Sequence, residues 1–108
     1  MSVHPRLGYR DARAAIAFLC EAFGFELRML RPGEAPGSVA HAELALGPDV
    51  LLLDTRADAG RGSVYVALDQ VDGHCERARA AGARIAAYSA YDLEGNVWSF
   101  GTYRPTPR

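Results

Sequence analysis

Two segments of this 108-residue chain share one spacing of helix-boundary residues, and this repeat constrains the fold more than any other feature. Asp11 and Gly24 bracket a run of helix-forming residues, with Asp suited to the N-cap and Gly to a left-handed C-terminal cap. Asp69 and Gly82 bracket a second such run and stand equally far apart. A strand-like segment precedes each run, and strand-like segments follow it. The repeat therefore predicts an α+β fold built from two βαβββ modules, although accidental spacing in an unrelated α+β domain is the alternative.

The first half, about residues 1–56, reads as one strand, one helix and three further strands. Alternating apolar runs bounded by turn residues predict the strands, and Gly47-Pro48-Asp49 predicts a tight turn before the last of them. The predicted elements are a strand Val3–Arg10, a helix Ala12–Phe23, and strands Phe25–Leu30, Val39–Leu46 and Val50–Leu53. We expect this module to share one domain, residues 1–108, with the second.

The second half, about residues 62–104, repeats this order with shorter strands. The predicted elements are a strand Ser63–Leu68, a helix Val71–Ala81 capped by Asp69 or Asp72, and strands Arg84–Ala87, Tyr88–Tyr91 and Val97–Tyr103. The stretch Ala86-Ala87-Tyr88-Ser89 contains no turn residue, so either one bent strand runs from Arg84 to Tyr91 or two strands there are very short. Asp92 to Asn96 predicts the last turn.

Each predicted strand has an apolar face and a mixed face, because side chains alternate along a strand. The apolar rows, which include Trp98 and Phe100, are expected to pack beneath the helices. The opposite faces carry the candidate binding residues His4, Arg6, His41, Glu43, Ser63, Tyr65, Ser99 and Tyr103. Two curved sheets with such faces would enclose a polar cleft for a small ligand. The same faces could equally meet solvent or a partner subunit.

Charge and composition argue against several classes of partner. The formal net charge is -1 and the basic residues, all arginine, are scattered along the chain, so neither nucleic acid nor an anionic membrane is expected as a partner. No stretch approaches the roughly 18 apolar residues of a membrane span, and the first residues lack a signal pattern, so we expect a cytoplasmic protein. Cys20 and Cys75 are expected to be reduced core residues rather than a metal site.

Three segments together resemble the glyoxalase/bleomycin-resistance/dioxygenase (vicinal oxygen chelate, VOC) superfamily. Tyr9 to Ala12 with Phe23-Gly24-Phe25 looks like its opening module, and Val39 to Leu44 resembles the strand that carries a metal-binding Glu. Asp92 to Phe100 resembles the closing D-P-x-G hairpin and strand, with Leu93 in place of the usual Pro. The similarity extends over nearly the whole chain. Relatives usually carry a longer loop near Ala87-Tyr88, so the second module is shortened.

The resemblance implies that the two modules curl into a half-barrel cleft, often in a homodimer. Enzymes of the superfamily hold a divalent metal there through His and Glu ligands, and the metal acts as a Lewis acid. Drug-binding members use the same cleft without metal. Carried over to this chain, the ligand positions are His4 and Glu43 in the first module and Ser63 and Ser99 in the second.

These four positions make an incomplete metal site. His and carboxylate suit Zn, Ni, Mn or Fe(II), but a serine hydroxyl is a poor ligand and catalytic metals normally need three protein ligands. His41 lies on the face of Glu43 and is a candidate third ligand. His74 lies on the second helix and is expected to be solvent-exposed.

Three functions follow from these observations. The first is a homodimeric small-molecule-binding protein without a resident cofactor, whose ligand contacts Arg6, His41, Ser63, Tyr65, Ser99 and Tyr103. The second is a metal-dependent lyase, isomerase or dioxygenase that uses His4 and Glu43, with Glu43 the best candidate for a catalytic base. The third is a non-catalytic interaction module.

Overall fold

The order of strand, helix and three strands occurs twice along the chain, as the repeat predicts. A computed structural model describes residues 1–86 and 89–105. The first module contains β1 (Arg6–Tyr9), α1 (Ala12–Phe23), β2 (Glu26–Pro32), β3 (Val39–Leu46) and β4 (Asp49–Thr55). The second contains β5 (Ser63–Ala67), α2 (Val71–Ala80), β6 (Arg84–Ala86), β7 (Ser89–Tyr91) and β8 (Val97–Gly101).

Each module forms its own four-stranded sheet, and the two sheets have the same topology. The strand orders are β1-β4-β3-β2 and β5-β8-β7-β6. In both sheets the first strand pairs in parallel with the last strand of its module, and the remaining pairs are antiparallel. A parallel pair needs a crossover, which the intervening helix and strands provide. The predicted pair of βαβββ modules is confirmed.

The first helix follows its sequence signals closely, whereas the second departs from them at its start. The Asp11 side chain accepts a hydrogen bond from the Ala14 amide at 3.1 Å, and Gly24 adopts the left-handed conformation at φ 85°. The N-cap of α2 is Gln70, without a side-chain capping bond. The prediction of Asp69 or Asp72 as cap was wrong: α2 begins at Val71, so Asp72 lies within its first turn, and Asp69 precedes the cap and pairs with Arg104 at 2.6 Å.

The sequence left open whether one bent strand or two short strands follow the second helix, and the structure has two short strands, β6 and β7. β6 and β7 pair antiparallel, with Ile85 opposite Ala90. Ala87 and Tyr88, predicted as strand ends, lie outside the described residues. The first strand, Arg6–Tyr9, is shorter than the predicted Val3–Arg10.

One hydrophobic core unites the two modules. The ring of Phe23, at the end of α1, lies 5.3 Å from that of Trp98 and 5.1 Å from that of Phe100 on β8. Phe25 adds an edge contact to Trp98 at 5.6 Å. Trp98 is fully buried, as the alternation along its strand predicts. Such aromatic pairs bury large areas at the junction, so the two modules pack as one unit.

Two expectations about helix side chains need correction. His74 is half-buried, not solvent-exposed: its Nε2 donates to the Phe23 carbonyl at 2.8 Å, and its ring lies 4.3 Å from that of Phe100. Cys20 and Cys75 are free thiols, but both are half-buried and neither belongs to the fully buried core. In the part of the chain that the structure describes, no helix is long and apolar enough to span a membrane.

Candidate functional site

The candidate residues of the first module lie on the side of its sheet that faces away from α1. Leu7, Ala42 and Leu44 point toward the core, and their neighbours Arg6, His41 and Glu43 therefore point to the opposite side. Strand register places Arg6 and Glu43 on either side of the same residue, Leu52 of β4. We call this surface the first-module face.

Charged groups on the first-module face are arranged in pairs. The His41 Nε2 and the Glu43 Oε2 are 3.0 Å apart. Asp54 lies 3.6 Å from the Arg6 guanidinium and 3.0 Å from that of Arg56. Asp54 was not identified from the sequence, although the alternation along β4 places it two residues beyond Leu52 on the same face. Arg6, predicted to contact the ligand, is therefore partly neutralised.

His4 precedes β1 and is held at the edge of the same sheet. Its Nδ1 is 3.0 Å from the Val50 carbonyl oxygen, and its Nε2 is 2.7 Å from the Ser2 hydroxyl. A carbonyl oxygen can only accept, so Nδ1 carries the proton and the neutral ring keeps its lone pair on Nε2. Metal-binding histidines are commonly oriented by this type of bond to a backbone carbonyl.

The second module presents hydroxyl groups where the first presents charges. Along one row of the sheet, Tyr65 of β5 lies opposite Ser99 of β8, which lies opposite Ser89 of β7. The Ser99 and Ser89 hydroxyls are 2.9 Å apart. Ser63 lies at the start of β5 on the same side and is exposed. We call this surface the second-module face; Ser89 belongs to it but was not identified from the sequence, because the strand bounds there were undecided.

Tyr65 is held by the chain that follows β8. Its hydroxyl donates to the Tyr103 carbonyl at 2.6 Å, and the two rings are 6.4 Å apart. Gly101 makes room for this arrangement, since a Cβ there would lie 2.9 Å from the Tyr65 hydroxyl. The pair forms an aromatic edge on the second-module face, with Tyr65 42 % exposed.

None of three cavities in the described part of the chain is lined by residues of both faces. A cavity of about 520 Å³ opens between the β3–β4 turn and β5, with Phe25 and Trp98 among its lining residues. It includes Tyr65, and a second cavity of about 580 Å³ includes Tyr65 and Tyr103. His4, Glu43, Ser63 and Ser99 line neither of these two cavities. The four ligand positions implied by the resemblance are therefore split between two separate surfaces.

The donor atoms do not fit a complete metal centre. Among residues 1–86 and 89–105, no group of three or more His, Cys, Asp and Glu side chains is placed to hold a metal ion. His4 and Glu43 are suitable in type, but the second-module positions offer only the hydroxyls of Ser63 and Ser99. Such hydroxyls bind Zn, Ni, Mn or Fe weakly beside imidazole and carboxylate. We therefore derive no reaction step through a metal.

The segment Asp92 to Asn96 has a structural role. The buried Asp92 carboxylate accepts hydrogen bonds from the Tyr9 hydroxyl, the Asn96 amide and the Trp98 indole. Burial raises the pKa of the Tyr9 hydroxyl far above its ordinary value, and the bond to Asp92 raises it further. Both oxygens of Glu94 accept from main-chain amides at the start of α1. The bonds from Tyr9 to Asp92 and from the Arg10 and Asp11 amides to Glu94 join the two modules.

Comparison with known proteins agrees with this architecture. The family model described as Glyoxalase/Bleomycin resistance protein/Dioxygenase superfamily matches residues 2–100. The solved structure of TioX from Micromonospora sp. ML1 is similar with a TM-score of 0.78 and 27% identity, over 93% of this chain and 96% of TioX. No protein of curated function has a significantly similar sequence.

Two less similar structures support the fold alone. A V278E mutant of glyoxalase I from Zea mays has a TM-score of 0.76 at 20% identity, over 96% of this chain but only 45% of the maize chain. The fosfomycin resistance protein FosX from Mesorhizobium loti has a TM-score of 0.70 at 12% identity, over 96% and 92% of the two chains. With the family model matching nearly the whole sequence, this chain belongs to the glyoxalase/bleomycin resistance protein/dioxygenase superfamily.

Proposed function

We propose that this protein is a homodimer that binds a small molecule between the first-module face of one subunit and the second-module face of the other, without a complete metal site. The observation that carries this proposal is that the two faces belong to different sheets and share none of the three cavities in the described residues. Each face points away from the helices, and His4 and Glu43 line neither of the cavities beside Tyr65. A second copy can bring the opposite face across, which one chain by itself cannot do.

The chemistry of the combined faces suits recognition of a polar organic ligand. One side would offer the His41–Glu43 pair, and the other the Ser99 hydroxyl and the exposed ring of Tyr65. Aromatic rings provide contact area at a low entropic cost, and hydroxyls accept or donate as the ligand requires. We further infer a single domain over residues 1–108 and a cytoplasmic location.

A mixing experiment tests the shared cleft. Light scattering on a size-exclusion column first establishes the oligomeric state. A thermal-shift screen that includes bleomycin, fosfomycin, aromatic antibiotics and small anionic metabolites then supplies a probe. We expect Glu43→Ala and Tyr65→Ala each to abolish binding of that probe as homodimers. Glu26→Ala, a matched change at an exposed position of β2, should leave binding intact.

The decisive sample is the heterodimer of the Glu43→Ala and Tyr65→Ala chains. If the cleft is shared, one cleft of this heterodimer carries both substitutions and the other carries none, so one binding site per dimer is restored. If each chain binds alone, no site is restored. A dimer that binds none of the screened compounds would instead favour the non-catalytic interaction module.

A second candidate is a divalent-metal-dependent lyase, isomerase or dioxygenase, and the orientation of His4 favours it. The hydrogen bond from Nδ1 to Val50 keeps the proton off Nε2, whose lone pair accepts from the Ser2 hydroxyl and could bind a metal in its place. Elemental analysis of protein purified without affinity-tag metal, followed by calorimetric titration with Ni, Zn, Mn and Fe(II), tests it. Stoichiometric binding that disappears in both His4→Ala and Glu43→Gln would support this candidate, and absence of binding would contradict it.

A further inference from the structure

A third cavity lies apart from both faces, and three arginines border it. Its volume is about 580 Å³, and it opens beside the turn that connects β7 to β8. Arg10 follows β1, Arg61 precedes β5, and Arg84 begins β6, so three separate segments each contribute an arginine to its border. We call this cavity the arginine pocket.

These three arginines differ from most others because no charged partner for them occurs among the residues that the structure describes. Within the described residues, the side chains of Arg10, Arg31, Arg61 and Arg84 make no hydrogen bond or ion pair. The remaining described arginines bind carboxylates or main-chain carbonyls. Three of the four unpaired guanidiniums thus converge on one cavity, although the formal net charge of the whole protein is -1.

The two carboxylates that border the arginine pocket are already engaged. Asp92 is buried and accepts from Tyr9, Asn96 and Trp98. Glu94 uses both oxygens for the amides of Arg10 and Asp11. Neither forms an ion pair with a bordering arginine in the described structure. Hydrogen bonds do not remove the negative charge of these two carboxylates, so three arginines and two carboxylates leave an excess of one positive charge around the pocket, which a bound anion would offset.

The pocket also has an aromatic side, where the Tyr91 ring contacts the Arg84 guanidinium. The Arg84 guanidinium lies 4.2 Å from the centre of the Tyr91 ring, which is a cation–π contact. Phe18 of α1 borders the same space. Gly95 allows Arg61 to lie close to the turn, since a Cβ there would be 2.9 Å from the Arg61 Nε. The planar guanidinium fork matches the oxygen geometry of a phosphate.

We propose that the arginine pocket binds a small molecule with a phosphate monoester group beside an apolar or aromatic part. A phosphate dianion can contact more than one guanidinium, whereas a carboxylate monoanion presents only one bidentate edge. The apolar part would pack against Phe18 and the free edge of Tyr91. This site is separate from the proposed cleft and does not depend on it.

Calorimetric titration with phenyl phosphate, inorganic phosphate and benzoate tests this proposal. We expect saturable binding of phenyl phosphate at one site per chain, competition by inorganic phosphate, and binding of benzoate weaker by roughly tenfold or more, which corresponds to the loss of about one strong contact. Raising the ionic strength should weaken phenyl phosphate binding. Benzoate binding as tight as phenyl phosphate binding would overturn the assignment to phosphate, and a lack of saturation would overturn the site.

Matched arginine variants test whether the arginine pocket is the site that binds phenyl phosphate. Arg61→Gln and Arg84→Gln should each weaken phenyl phosphate binding about tenfold or more, and Arg84→Lys should also weaken it because the fork is lost although the charge remains. Arg31→Gln removes an unpaired arginine outside the pocket and should leave the affinity unchanged. Equal weakening in Arg31→Gln would show a general charge effect and overturn the proposal. Thermal melting of each variant verifies that it is folded, and Arg61→Gln keeps the test valid if Arg84→Gln unfolds.

Discussion

The Tyr9 hydroxyl donates a 2.5 Å hydrogen bond to the Asp92 carboxylate, and this bond joins the first module to the second inside the protein. Tyr9 is at the end of β1, and Asp92 begins the turn between β7 and β8. Both residues are buried. A buried carboxylate is stable only when its oxygens are satisfied, and Asn96 and Trp98 supply the other side-chain donors.

Removal of the Tyr9 hydroxyl should destabilise the protein. We expect Tyr9→Phe to lower the free energy of unfolding by about 1–3 kcal/mol, because the buried Asp92 carboxylate loses a donor. Urea denaturation followed by circular dichroism measures this change. Tyr103→Phe is the matched control, since Tyr103 is 71% exposed, and its effect should stay within about 0.5 kcal/mol. Equal losses in both variants would contradict the role assigned to the buried bond.

The same residue should make the protein sensitive to alkali. Tyr9 ionises near pH about 10 in the unfolded chain, but burial and the bond to Asp92 raise its pKa in the folded protein. The unfolded state therefore loses this proton first, so the free energy of unfolding decreases as the pH rises above about 10. Below that pH the stabilising contribution is fully present. The chain contains no lysine, so lysine ionisation adds no slope in this range.

The measurement is the free energy of unfolding between neutral and strongly alkaline pH. Cys20→Ala is used as the background, because burial also raises the pKa of the Cys20 thiol and adds a slope of the same sign. We expect the added Tyr9→Phe substitution to reduce the alkaline slope. An unchanged slope would show that ionisation of Tyr9 does not limit stability in alkali.

Two glycines should respond to alanine in opposite directions. Gly95 has a φ of +83°, so Gly95→Ala should cost about 1–2 kcal/mol of stability, and it should also displace the nearby Arg61. Gly73 lies within α2 with open space around it, so Gly73→Ala should stabilise the protein by about 0.4–1 kcal/mol. Thermal melts of the two variants measure both effects. A shift of the same sign in both would refute the backbone argument.

His74 should contribute to stability through its ring more than through its hydrogen bond. Its Nε2 donates to the Phe23 carbonyl, but its Nδ1 is buried without a partner in the described residues. His74→Ala loses both the bond and the contact with Phe100, and we expect it to cost about 2–3 kcal/mol. His74→Phe keeps a ring in the same place and should cost clearly less. Urea unfolding compares the two, and equal costs would assign the effect to the hydrogen bond.

Local signals were sufficient for the first helix but not for every element. Asp11 and Gly24 mark the ends of α1 as predicted, because each satisfies backbone groups within one turn of itself. The start of α2 was mispredicted: Asp69 precedes the cap and pairs with Arg104, which is distant in sequence. His74 was mispredicted because its partners, Phe23 and Phe100, lie on other elements. Periodicity shows that a residue lies on a helix but not what packs against it.

In the candidate site too, local patterns predicted which residues share a face, but not which residues of other strands contact them. Alternation along β3 placed His41 and Glu43 on one face, and they are in contact there. The partners of Arg6 and Ser99, namely Asp54 and Ser89, come from neighbouring strands, so they depend on register. The arginine pocket combines Arg10, Arg61 and Arg84 from three segments, and no local pattern connects them.

The sequence by itself determined the repeat, the α+β class, the two modules and the faces of most strands, because these depend on periodicity and on caps within a few residues. The tertiary structure decided which distant residues meet. It placed Tyr9 against Asp92, put the two candidate faces on different sheets, and brought Arg10, Arg61 and Arg84 to one cavity. The physical reason is that hydrogen bonds, ion pairs and cavities depend on distances between atoms. In this fold, strand pairing and the packing of the two modules set those distances.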